Sequence, residues 1–159
     1  MKKIFLLAST LIFTTILFSQ TYVGKTYQSP TDKLNDKYCS SLFKTYDGTI
    51  FDLANDNTSA MGYLNILDWL QGRVAGLQIY HRKDGTPIAF IRNSQASIFI
   101  DEIPIDPASL NMVSVADIAM IKVIKGPFVG ASGNGPGGAI AIYTMKGDDR
   151  DEEHSNRNR

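Results

Sequence analysis

Residues 118–146 constrain this chain more than any other stretch, because two apolar runs there bracket a loop dense in glycine. Ile118, Met120, Ile121, Val123 and Ile124 form the first run, and residues 139–144 (AIAIYT) form the second. Both carry the β-branched residues of a strand. Between them Gly126, Gly130, Gly133, Gly135, Gly137 and Gly138 free much of the backbone from Cβ restrictions. Ordering such a loop is costly, since glycine loses the most conformational freedom on folding. The loop therefore belongs where backbone meets backbone closely, where φ turns positive, or where the chain stays mobile. Gly126, Pro127, Phe128, Gly130, Gly133, Asn134, Gly135, Gly137 and Gly138 are the candidate interaction loop.

Gly133, Gly135 and Gly138 satisfy the letter of a GxGxxG phosphate-binding loop. That chemistry needs a strand directly before it and a helix N-terminus directly after, so that amide groups face the pyrophosphate. Here the preceding strand ends some nine residues earlier and a strand follows. Nucleotide binding fails on context, and no Walker lysine is present. No nucleophile stands at a defined spacing from a histidine. His81 and His154 are the only histidines, and neither sits among enough ligands for zinc. Asp101, Glu102 and Asp106 read as solvated turn carboxylates, not as an acid/base pair. The expectation is a protein without enzymatic activity, cofactor or metal.

The residues around the loop also carry a family resemblance. Asp117-Ile118, then residues 121–127 (IKVIKGP), then residues 138–144 (GAIAIYT) resemble the end of the plug domain of TonB-dependent outer-membrane receptors. Residues 70–79 (LQGRVAGLQI) resemble a block of the starch-utilisation type of receptor, with Leu70, Gln71, Gly72, Arg73 and Gly76 matching. Residues 97–101 (SIFID) fall where that group has a strand ending in Asp-Gly, so Asp101 matches and Glu102 departs. Glu102 makes a turn with two positive φ angles less comfortable than glycine would. The resemblance covers residues 49–147. It implies a gate that occludes a barrel, helps contact substrate, and is remodelled when TonB pulls.

Beyond those blocks the chain divides simply. Lys2 and Lys3 precede an apolar run over residues 4–18, and Ser19-Gln20 offers a cleavage region, so residues 1–20 read as a secretory signal peptide. A run of about fifteen residues is short for a membrane anchor, which needs about 20. No lipobox cysteine follows it, and no later run is long enough to span a bilayer as a helix. Sixteen basic side chains balance sixteen acidic ones; losing Lys2 and Lys3 leaves a slight negative excess, with no basic stripe for nucleic acid. Cys39 is alone, so no intrachain disulfide can form, and it reads as a buried inert thiol.

Residues 21–48 read as a mostly irregular leader with a short helix around residues 34–46, and no TonB box is identifiable in it. Residues 49–147 form the plug-like domain, and residues 148–159 a charged, disordered tail. Strands are expected at residues 49–53, 77–80, 88–91, 97–100, 118–124 and 139–144. A main helix is expected over residues 63–71, with a shorter helical turn near Val115. Tyr63, Ile66, Leu67, Leu70 and Val74 fall on one helical face, with Asp68 and Trp69 off it. Gly72 suits the left-handed position that ends this helix. The fold class is α+β: a small mixed sheet, one main helix and short helical turns.

A barrel of about 22 strands, each of about 9–11 residues, needs roughly 200 residues or more for strands alone. The 159 residues cannot hold one. Two functions remain open. One is a plug-like domain, exported to the periplasm or outer membrane, that works with a β-barrel protein or TonB in trans. The other is a soluble periplasmic module that keeps the fold and binds a protein or glycan. The first expects the 126–138 loop to face a barrel wall or substrate; the second expects an exposed apolar patch elsewhere.

Overall fold

Strict two-residue alternation in the strand at residues 139–144 gives the domain two cores instead of one. The computed structural model describes residues 28–45, 47–55, 58–128 and 137–147. The expected signal peptide, the charged tail and loop residues Gly130, Gly133, Asn134 and Gly135 lie outside them. Eight strands follow one another: β1 (Thr49–Asp52), β2 (Leu77–His81), β3 (Pro87–Ile91), β4 (Ser94–Gln95), β5 (Ser97–Ile100), β6 (Ile103–Ile105), β7 (Ile118–Ile124) and β8 (Ala139–Thr144). Helix α1 spans Pro30–Tyr38 and α2 spans Ile66–Leu70, with 3-10 turns at Ser41–Phe43, Pro107–Met112 and Val115–Asp117.

The main sheet has the order β1-β7-β8-β5-β6. It is mixed: β5 and β8 run parallel, and every other pair is antiparallel. A second, antiparallel sheet has the order β2-β3-β4. Successive strand residues point to opposite faces. In β8, Ile140 and Ile142 enter the core shared with α2 and the second sheet, while Ala139, Ala141 and Tyr143 enter another core beneath α1. β7 is buried along its whole length, as a central strand covered on both faces must be.

Each element has a local cause. Ser29 caps α1 in a capping box with Asp32, and Pro30 sits in the first turn, where its missing N–H costs nothing. This helix starts before the expected residue 34 and ends at Tyr38; its cap signature, Ser-Pro-Thr-Asp, is readable in the sequence. It is also longer than α2, so the main helix is not the expected one.

The helix expected over residues 63–71 is confined to Ile66–Leu70. Asn65 stops it on the N-terminal side, because its extended backbone and side-chain bond to the Leu67 N–H make it a cap. Gly72 does take the left-handed conformation just past its end, with φ of 80°. So short a helix is wedged between the sheets and buried except at Asp68. Trp69, expected off the apolar face, is therefore buried, edge-on to Phe51 at 5.3 Å, whereas Tyr63 is 40% exposed.

Two strands were not foreseen, the two-residue β4 and the edge strand β6. Ile103–Ile105 returns along β5 to form the β6 edge, joined by a two-residue turn in which Asp101 and Glu102 both have positive φ. The hairpin geometry survives without glycine because side chains hold it. Asp101 accepts from the Thr144 N–H (3.0 Å) and Oγ1 (2.7 Å), while Glu102 accepts from Ser40 N–H (2.6 Å) and Oγ and from Tyr143 OH (3.2 Å). Asp106 caps the following 3-10 turn through the Ala108 N–H. The acidic cluster is thus three separate structural ties.

Candidate functional site

Both described ends of the glycine loop are fixed. At its start Lys125 and Gly126 are partly exposed and Pro127 is exposed, but Phe128 turns inward. Its ring lies 4.7 Å from Phe43 and 5.6 Å from Phe99, an aromatic cluster in the core beneath α1. At its end the backbone is pressed between two strands. A Cβ on Gly137 would lie 2.0 Å from the Gln95 carbonyl oxygen, and one on Gly138 would lie 2.2 Å from that of Ile124. Gly138 also has φ of 77° and gives its carbonyl to the Ser97 N–H. These two glycines serve close backbone approach. Gly126 is different: a Cβ there meets nothing within 4 Å.

Beside the start of the loop is a groove of about 530 Å³ lined by Asp47, Gly48, Thr49, Arg92, Lys125 and Gly126. Arg92 occupies the first position of the turn between β3 and β4 with φ of 51°, and Asn93 follows at 66°. Its N–H is anchored on the Gly76 carbonyl at 3.1 Å. Among the described residues neither the Arg92 guanidinium nor the Lys125 ammonium has an ion pair. The groove thus brings the Arg92 and Lys125 cations together with the Asp47 carboxylate. Sequence reading missed Arg92, and only its place before the turn residue Asn93 could have pointed to it.

The residues 70–76 block is structural in its contacts. Leu70 is fully buried, Gln71 ends α2, and Gly72 and Gly76 (φ of 81°) provide left-handed corners. Arg73 lies over the Trp69 ring at 4.5 Å and the Tyr63 ring at 5.8 Å, and donates to the Trp69 carbonyl. His81 Nε2 is 3.0 Å from Asp68 Oδ1, which ties β2 to α2. No group of three or more potential ligands that could hold a metal occurs among the described residues.

At the other end of β7, a groove of about 370 Å³ is lined by Met61, Tyr63, Leu64 and Met112 together with the polar Asn111 and Ser114. Leu64 is 97% exposed and Met112 89%. The seven residues of β7 hold the two grooves roughly 20 Å apart.

Beneath α1, titratable groups are buried together. Burial pushes the Cys39 thiol above its ordinary value, outweighing the Tyr143 hydrogen bond that lowers it. Burial also raises the Tyr143 phenol, with Cys39 and Glu102 adding to the shift. The Lys122 ammonium, fully buried in β7, is pushed down by desolvation. No helix among the described residues is long and apolar enough to cross a membrane.

Comparison with known proteins agrees with this architecture. Residues 46–139 match the family model of the TonB-dependent Receptor Plug Domain. No curated protein sequence matches the chain. A structure of the RagAB peptide importer in its closed-closed state superposes with a TM-score of 0.50 at 22% identity, covering 65% of this chain and 13% of the other. FpvA of P. aeruginosa, bound to heterologous pyoverdines, gives 0.50 at 17% identity, covering 62% and 14%. The chain therefore spans only about one-seventh of the length of these proteins. At such identities the likeness is one of fold. The match over most of the domain places this chain in the TonB-dependent receptor plug domain family.

Proposed function

We propose that this plug domain is exported across the inner membrane by its N-terminal signal peptide. It then acts, without enzymatic activity, at the periplasmic side of the outer membrane in a TonB-dependent uptake system of the starch-utilisation type. The barrel wall it meets belongs to sequence other than these 159 residues, and a barrel protein in trans supplies it. The observation that carries this reading is the groove between Arg92 and Lys125. Two cations with no ion pair among the described residues, one held at positive φ, suit carboxylates on a polar barrel interior. The groove adjoins the start of the glycine loop at Lys125 and Gly126. TonB is the second partner.

The exposed Leu64 and Met112 side chains favour a second reading, a soluble periplasmic module that binds a protein or glycan by that end. Fold alone does not confer transport. Affinity capture on the tagged mature protein from detergent-solubilised outer membranes separates the two. Recovery of a barrel protein lacking its own plug, or of TonB, supports uptake in trans. Recovery of soluble periplasmic proteins alone sinks it.

A further inference from the structure

Lys122 stands on the α1-facing side of β7 between Met120 and Ile124, where a leucine or methionine would pack. A fully buried ammonium has to be saturated with acceptors or lose its charge. All its acceptors come from one piece of chain: Asn35 Oδ1, the Phe43 carbonyl (2.7 Å) and the Thr45 carbonyl. Glu102 grips the same piece through Ser40. Among the described residues no backbone-to-backbone hydrogen bond joins residues 28–45 to a strand. The segment is attached by side chains, and removing it breaks no sheet pairing.

The attachment is also imperfect. The buried Asn35 Nδ2 has no hydrogen-bond partner, because its amide oxygen is turned to Lys122. Lys122 is the one charged side chain among the apolar residues that the segment covers, which include Phe99, Met120 and Ile124. Lys122 thus ties the cover down by polar contacts that water can replace when the cover leaves.

We propose that residues 28–45 are a detachable cover, clasped by Lys122 and Glu102, that leaves the second face of the main sheet as a unit while both sheets stay folded. The sole cysteine reports on it. Cys39 lies in the cover and is 6% exposed, so a small thiol reagent reads its opening. In the full mature chain, the opening equilibrium read from Cys39 labelling at low denaturant is expected to be at least tenfold larger than that read from exchange of the β7 and β8 amides, with a denaturant dependence that is measurable but smaller. Glu102→Gln should speed labelling several-fold and leave β7–β8 exchange unchanged. Labelling that keeps pace with β7–β8 exchange, and rises as steeply with denaturant, would overturn the proposal. So would a Glu102→Gln effect that appears equally in both readouts.

Discussion

Placing alanine at Gly138 would put a methyl group 2.2 Å from the Ile124 carbonyl oxygen and 3.2 Å from that of Gly126. Ordinary contact begins near 3.4 Å, so β7 and β8 would have to separate by roughly 1 Å at their Val123–Ile124 end. The φ of 77° adds about 1–2 kcal/mol for a residue with a Cβ, and overpacking adds about 1–3 kcal/mol. Gly138→Ala should therefore cost about 2–5 kcal/mol. At about 3 °C per kcal/mol for a domain this size, Tm falls by roughly 10 °C. Gly137→Ala, whose methyl would meet the Gln95 backbone at 2.0 Å, should cost a similar amount through overpacking. Gly126→Ala, with open space around it, should stay within about 0.5 kcal/mol. Urea denaturation of the three variants tests the assignment. Equal costs at positions 126, 137 and 138 would refute the claim that the last two glycines exist for close strand approach.

Trp69→Ala should cost about 3–5 kcal/mol by the same measurement, because it empties the space between α2 and Phe51; Tyr63→Ala should cost under about 1 kcal/mol. Raising pH should destabilise the domain first through Cys39 and then through Tyr143. The folded state raises both acids, so their contribution is complete below their ordinary values of 9.0 and 10.0 and is lost above them. Lys122, lowered from 10.5, works in the opposite sense and gains stability toward high pH. Cys39→Ser should remove the part of the loss that begins near pH 9, as read by denaturant midpoints from pH 7 to 10. Arg92→Glu with Lys125→Glu should weaken capture of a barrel partner by about tenfold or more, and added salt should weaken the wild type.

The strands of both sheets were legible where apolar residues were dense, as in β7 and β8, but their pairing was not. The parallel pairing of β5 with β8 was not legible, since residues 97–100 are apolar on both faces whichever way they run. β6 was hidden by Pro104, which sits on an edge strand where the missing N–H is tolerated. Helical periodicity misled at Trp69, because of the five residues between two sheets only Asp68 keeps contact with solvent. The cover escaped notice because its clasp joins Lys122 to residues about 80 positions earlier in the chain. The cationic groove has the same character: Arg92 and Lys125 meet only once β3 and β7 are folded.

The central claim is that the Arg92–Lys125 end meets a barrel wall. Photo-crosslinking in intact cells tests it directly, with a photoreactive residue at Asp47, which lines the groove and leaves both cations in place, or at Met112 at the opposite end. The account predicts that position 47 crosslinks to an outer-membrane barrel protein and position 112 does not. A soluble periplasmic protein crosslinked at position 112, with no barrel protein at position 47, would contradict it.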